Sequence, residues 1–236
     1  MEISLIIPAY QEKENLERLL PELVEVLSNL DGQFEILVID TLEKMDATDE
    51  VCQLNKVNYI NRENGNSYGD AIRTGIIKSS GNKVIIMDAD GSHEPRYLNK
   101  MYRYSGKYDL VIGSRYIENG KTENNFGLIL MSLMVNMMYR LFLNLKIKDV
   151  SNSFRIYNGK QLRSIDPICN NFDIVEEILI KLVLSYPELT IKEIPIEFKK
   201  RRYGKSKRNL VKFVFSYLVT MRRLITIKSS FRKKRD

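Results

Sequence analysis

What this 236-residue chain lacks narrows it early. It has two cysteines, Cys52 and Cys169, with neither metal-ligand nor redox spacing, so they read as buried thiols in a reducing compartment. Its one histidine, His93, leaves no Ser-His-Asp or Cys-His set, and a lone histidine is more often packed than catalytic. The opening Met-Glu-Ile-Ser has neither a positive n-region nor an apolar h-region, so no secretory signal is expected. There is no internal repeat and no low-complexity stretch. Acids nearly vanish toward the end: residues 198–236 hold 15 of the 37 lysines and arginines and one acid, Asp236, while the preceding body has 22 bases and 29 acids. A basic tail on an acidic body points to an anionic partner. Its interleaving with Leu210, Val211, Phe213, Phe215, Leu218 and Ile225 suits a basic amphipathic helix on an anionic membrane surface. It does not suit a polar arm on nucleic acid, which is excluded as a partner.

The remaining composition, 44% hydrophobic and 28% charged, is that of a globular protein with a sizeable core. Short apolar runs alternate with helical patterns through the first half, the signature of βαβ units in a mostly parallel α/β sheet. Strands are predicted at Ile3–Ile7, Phe34–Ile39, Val57–Ile60, in the run leading to Asp88, and at Leu110–Ile112. Helices are predicted over residues 13–29 and 68–79, and from near Pro95. The stretch Phe126–Leu145 approaches bilayer-spanning length. Ser132, Asn136, Arg140 and Asn144 recur along it every four residues, however, and a lone span carrying Arg140 is costly. We therefore expect no transmembrane helix. Either the polar stripe faces protein and the apolar side faces lipid or a partner, or the helix is buried in the core.

The most informative stretch is Lys83-Val84-Ile85-Ile86-Met87-Asp88-Ala89-Asp90-Gly91-Ser92-His93. A short buried strand delivers two carboxylates and a glycine to its carboxyl end, where parallel sheets bind ligands. Such a pair is suited to a divalent cation leaning on a diphosphate; a plain Asp/Gly turn is the alternative.

Further stretches join it in order: Pro8-Ala9-Tyr10-Gln11-Glu12, Arg62-Glu63-Asn64-Gly65, Tyr68-Gly69-Asp70-Ala71-Ile72-Arg73-Thr74-Gly75, Gly113-Ser114-Arg115-Tyr116, Asp149-Val150-Ser151-Asn152-Ser153-Phe154-Arg155, Phe172-Asp173-Ile174-Val175-Glu176-Glu177, and Arg201-Arg202-Tyr203-Gly204-Lys205-Ser206-Lys207. Over residues 2–207 this set resembles the family 2 inverting glycosyltransferases of GT-A fold, and within them the polyprenyl-phosphate (dolichyl-phosphate) mannose synthases. The resemblance implies a catalytic domain over 1–207, with 208–236 a basic amphipathic tail that adds membrane-interface helices. It implies sugar transfer from a nucleotide-sugar donor to a polyprenyl phosphate acceptor, peripherally at the cytoplasmic membrane face. Pro8, Ala9, Tyr10, Glu12, Asp40, Asp88 and Ala89 match donor-binding positions. Asp88, Asp90 and Ser92 match the site of Mg²⁺ or Mn²⁺, with the Ser92 hydroxyl a further ligand or a water anchor. Arg115, Ser132, Arg201, Ser206 and Lys207 match acceptor-phosphate positions. Asp90, Arg115, Arg201 and Glu177 are the catalytic candidates, with Glu176 the alternative to Glu177 and surface acids the plain reading of both. An ionised phosphate acceptor needs no strong general base, only cations that orient it.

Three departures bear on specificity. Thr41-Leu42-Glu43 replaces the usual second acid and small turn residues after Asp40. Gln11 replaces an asparagine. Leu128 stands where the family carries an arginine, with Lys121 and Arg140 as the nearest replacements. Mannose from GDP-mannose leads. A UDP-sugar such as UDP-glucose, a polysaccharide acceptor, and a catalytically silent binding subunit stay open.

Overall fold

The computed structural model describes residues 1–143, 145–201, 219–220, 222–226 and 228–229. A seven-stranded sheet runs in the order β3-β2-β1-β4-β7-β5-β8, from β1 (Ile3–Pro8), β2 (Phe34–Asp40), β3 (Asn58–Asn61), β4 (Lys83–Ile86), β5 (Leu110–Ser114), β7 (Arg155–Asn158) and β8 (Ile191–Pro195). Every pairing is parallel except those of β7, which runs antiparallel between β4 and β5. A short parallel pair, β6 (Lys121–Thr122) with β9 (Glu197–Phe198), lies apart from the main sheet.

Strand alternation divides the core into two layers. Ile3, Leu5, Ile7, Ile36, Val38, Ile85, Val111 and Ile156 pack with residues of α1 (Lys13–Ser28), α2 (Thr48–Leu54) and α4 (Tyr97–Ser105). Ile6, Leu37, Ile39, Val84, Ile86, Leu110 and Ile112 pack with α3 (Tyr68–Lys78), α5 (Phe126–Leu143), α6 (Gly159–Arg163) and α7 (Ile174–Ser185). Each buried aliphatic side chain contributes about 1.5–3 kcal/mol. The fold is thus the expected α/β sandwich, GT-A-like, with one antiparallel strand inserted. Cys52 and Cys169 are both buried and free.

The parallel register fixes where the site lies. Met87 N–H bonds Ile6 O and Ala9 N–H bonds Ile39 O, so the chain leaves β1, β2 and β4 along one edge. β5 ends there too, and β7 begins there at Arg155, paired with Ile86 and Ile112.

Helix α5 keeps only part of the expected stripe. Asn136 and Tyr139 are buried and Ser132 is half-buried, but Arg140 is exposed. Asn136 Oδ1 accepts from the amides of Val150 (2.9 Å) and Ser151 (3.2 Å), which explains a polar residue on the inward face. The outer face presents Phe126, Leu130, Leu133, Met134, Met137 and Leu141, all exposed, so among the described residues α5 is not buried in the core. No helix among the described residues is long and apolar enough to cross a membrane. The described tail residues 219–220 and 222–226 are helical, and Leu224 is buried in the larger core layer, so part of the stretch read as an appendage packs on the body. Most of the basic tail, Ser206 and Lys207 included, lies outside the described residues.

Candidate active site

The β4 exit is built by neutral donors. Asp88 Oδ1 accepts from Tyr68 OH (3.0 Å) and Oδ2 from Ser153 OH (2.9 Å). Its own N–H donates to His93 Nδ1 (3.2 Å), and the opposite ring nitrogen of His93 lies 3.0 Å from Asn152 Oδ1. That pattern calls for the neutral ring with its proton on Nε2. Asn152 Nδ2 in turn donates to Gly113 O (2.5 Å), so His93 ties the end of β4 to the end of β5. Gly91 has φ +75°, a conformation favouring glycine, and the turn it makes brings Ser92 N–H to 3.0 Å from Asp90 Oδ1.

Opposite Asp90, Arg201 comes from the irregular segment that follows β9. Its Nη2 bonds Glu12 Oε1, and its Nη1 lies 3.6 Å from Asp90 Oδ2. Glu12 follows Gln11, whose φ of +54° is left-handed, a region where the asparagine it replaces is better tolerated. Asn15 Nδ2 also donates to Glu12, at 2.6 Å. Burial pushes the Glu12 carboxyl up, and the Arg201 and Asn15 contacts only partly offset it.

Arg115 and Ser132, both expected at the acceptor phosphate, lie 3.5 Å apart in a setting the sequence did not reveal. The Arg115 fork, expected to grip a phosphate, is bidentate on buried Asp149: Nε to Oδ2 at 2.8 Å and Nη2 to Oδ1 at 2.7 Å. Nη2 also reaches Ser151 Oγ (3.0 Å), and the guanidinium lies over Phe198, 5.3 Å from the ring centroid. Phe198 meets His93 edge-on at 5.3 Å, linking the arginine cluster to the carboxylate pair. Lys121 and Arg140, the candidate replacements for the missing arginine at Leu128, are both exposed.

On the donor side, Pro8 and Ala9 are buried and Tyr10 is half-buried beside Arg62, whose guanidinium bonds Ala9 O, Asn66 O (2.6 Å) and Ser67 O (3.1 Å). Asp40 is buried, with Oδ1 on Thr41 N–H (2.8 Å) and Oδ2 on Tyr59 OH (3.2 Å), and burial raises its carboxyl pKa. Thr41, at the position of the missing second acid, is itself fully buried.

Glu176 and Glu177 are not surface acids: both are fully buried at the start of α7. Glu177 Oε2 accepts from the amides of Ile168 (2.9 Å) and Cys169 (2.7 Å), and Oε1 pairs with Lys181 at 2.8 Å. Burial opposes its ionisation, but Lys181 and the two amides win and hold it below the usual carboxylate range.

Sequence reasoning assigned no role to Tyr68, Asp149, Ser153 or Arg155. Tyr68 stacks on Phe172 with ring centroids 4.4 Å apart, and a Cβ on the adjacent Gly69 would lie 2.1 Å from Cys169 O; only glycine permits that approach. The signal available was local: all four lie within motifs already singled out.

The donor set fits Mg²⁺ or Mn²⁺. Asp88 and Asp90 offer hard oxygens, and the Ser92 hydroxyl nearby is buried without a hydrogen-bond partner among the described residues. No group of three or more His, Cys, Asp and Glu able to hold a metal occurs among the described residues. Two carboxylates suffice for a cation that keeps waters and takes its other oxygens from substrate phosphates.

Residues 4–165 match the family described as Glycosyl transferase family 2. The chain is 33% identical to the dolichol-phosphate mannosyltransferase of Pyrococcus furiosus, over 95% of this chain and 64% of that protein. It therefore spans just under two thirds of that relative's length. It is 28% identical to the undecaprenyl-phosphate mannosyltransferase of Micrococcus luteus, over 88% of this chain and 87% of that one. Among solved structures, glucosyl-3-phosphoglycerate synthase from Mycobacterium tuberculosis with phosphoglyceric acid superposes with TM-score 0.73 at 16% identity, covering 95% of this chain and 80% of that one. The same enzyme with Mn²⁺, UDP and glucosyl-3-phosphoglycerate gives TM-score 0.69 at 17% identity, over 98% and 79% of the two chains.

Proposed function

Because this chain belongs to glycosyl transferase family 2, we propose that it moves a sugar, mannose from GDP-mannose as the leading choice, onto the phosphate of a polyprenol at the cytoplasmic membrane face. One observation carries the reading: strand-end Asp90, two residues after Asp88, faces an arginine, Arg201, at 3.6 Å, and helix α5, which carries Ser132 to Arg115, turns an apolar face outward. Anionic donor, anionic acceptor and lipid each have a matching surface. The two relatives named as polyprenyl-phosphate mannosyltransferases support the acceptor class and the sugar.

In this reading a phosphate oxygen attacks C1 of the sugar from the face opposite the nucleoside diphosphate. The C1–O bond to the diphosphate breaks and the configuration inverts. Asp88 and Asp90 would hold a divalent cation, which would supply countercharge to the departing diphosphate. The Pro8–Glu12 loop lines the donor side with Asp40 and Ala89, and Arg201 orients the acceptor phosphate. Arg115, neutralised by Asp149, acts with Ser132 through a fixed dipolar pocket rather than as a bare cation. Ser206 and Lys207 add acceptor contacts, and Glu177 holds the 168–169 turn against α3. The buried Asp40–Thr41 corner, lacking the second acid, is the specific reason to keep a UDP-sugar as a second reading of the donor.

The test is transfer from labelled GDP-mannose, UDP-glucose and other nucleotide-sugars to dolichyl and undecaprenyl phosphate, with Mg²⁺, Mn²⁺ or EDTA. Cation-dependent mannose transfer is expected. Transfer from a UDP-sugar alone replaces the donor assignment, and no transfer from any donor overturns the enzymatic reading.

The α5 face makes a separate prediction. Leu133→Glu with Met137→Glu alters exposed positions, so the fold should stand. Sedimentation with anionic phospholipid vesicles should fall about tenfold or more, since apolar burial is replaced by charge repelled from the surface. Unchanged sedimentation removes α5 from the membrane contact.

A further inference from the structure

We propose that Arg201 is a placeholder for the divalent cation: its guanidinium holds Glu12 and Asp90 together until the cation takes Asp90 and frees it for the acceptor phosphate. The inference rests on the assignment of Asp88 and Asp90 as the cation's ligands.

The two carboxylates of the Asp-Ala-Asp stretch are prepared differently. Asp88 is held by hydroxyls from Tyr68 and Ser153, neutral donors that leave its charge available. Asp90 takes one amide, from Ser92, and faces a positive charge, Arg201 Nη1 at 3.6 Å. That charge also bonds Glu12, a carboxylate near enough to Asp90 for the two to repel. Like charges converging in a half-buried cleft need a cation between them. In the structure that cation is a guanidinium, and a metal ion on Asp90 does the same electrostatic work. Two positive charges on one carboxylate edge repel, so one displaces the other.

Arg201 has a short tether. Lys199 N–H donates to Ser92 O at 3.0 Å, and Phe198 packs against His93 and under Arg115. A guanidinium released from Asp90 therefore stays beside the carboxylate pair, held by this tether and by Glu12. The acceptor phosphate would then meet its cation only after the metal is seated, giving a binding order built from one side chain.

Mn²⁺ binding to the full chain without nucleotide, read from the loss of the free-ion EPR signal at low salt, tests this directly. Arg201→Gln should bind Mn²⁺ about five- to tenfold tighter than the parent, the worth of one partly screened unit charge. Arg201→Lys, which keeps the charge, should stay within about twofold of the parent. Asp90→Asn should weaken binding, and the double variant Asp90→Asn/Arg201→Gln should lose the gain. Circular dichroism checks the fold of each. An Arg201→Gln protein that binds Mn²⁺ no tighter overturns the placeholder, as does a gain shared equally by Arg201→Lys. Asp90→Asn without effect shows instead that the cation assignment beneath it has failed.

Discussion

Asp90→Ala should reduce sugar transfer by at least a hundredfold while leaving the protein folded. The size follows from the role: removing one preorganised electrostatic contact to the developing charge of a transition state costs about 10²–10³ in rate. Here the group removed is one of two carboxylates proposed to hold the cation that neutralises the leaving diphosphate. The folded state loses little. Asp90 is half-buried, follows the end of β4 rather than lying within it, and touches Ser92 N–H and Arg201. One hydrogen bond and a loose ion pair in a part-exposed cleft amount to about 1–2 kcal/mol. Asp88→Ala should show the same loss of transfer with a larger structural cost, because it removes an acceptor from the hydroxyls of Tyr68 and Ser153. Rates with each Mg²⁺ concentration, beside urea midpoints, separate the two. Transfer by Asp90→Ala within tenfold of the parent would remove the cation from the mechanism at this position.

The parts of the molecule that could be read from residues are those whose cause is local. Strands β1, β2, β4 and β5 are apolar runs that end at or just before proline, aspartate or glycine, and their order along the sheet edge brings the Pro8, Asp40, Asp88 and Arg115 loops together. Ser67, with its reciprocal bonds to Asp70, marks the start of α3 as plainly as any side chain can. What could not be read depends on partners far along the chain. Arg-Ile-Tyr-Asn at 155–158 carries no sign that it will run antiparallel between β4 and β5. Arg115 looked like an open anion grip because its counter-ion, Asp149, arrives only through the fold, 34 residues on. Glu177 read as a catalytic candidate, with a surface acid as the plain alternative, yet it faces inward to accept from two amides of the 168–169 turn. Arg140 shows the reverse error, a regular four-residue spacing that drifts off the buried face because 3.6 residues, not four, make a turn.

Arg155→Met should destabilise the protein by about 3–5 kcal/mol, the range expected when a buried charged partner is removed from a satisfied network. Arg155 is fully buried, and its guanidinium donates to three carbonyls: Asn152 O at 2.8 Å, Val175 O at 3.0 Å and Val150 O at 2.5 Å. Methionine fills much of the volume but donates to none of the three carbonyls, and a buried acceptor left unmatched costs about 1–3 kcal/mol. The functional consequence is wider than the residue itself. Val150 and Asn152 belong to the turn that carries Asp149 and Ser151 to Arg115, Asn152 to His93, and Ser153 to Asp88. Val175 lies in the first turn of α7, beside the glutamates. A single side chain thus sets the distance between the carboxylate pair and the arginine cluster. Loosening it should lower transfer even at temperatures where the variant remains folded, with the acceptor KM rising alongside the fall in kcat. Arg155→Lys should recover little of either, since an ammonium cannot span three carbonyls in the geometry of the fork. A drop in stability with transfer intact in the folded fraction would show that the 149–155 turn keeps its shape without the guanidinium, and that Asp88 and Arg115 are positioned independently of each other.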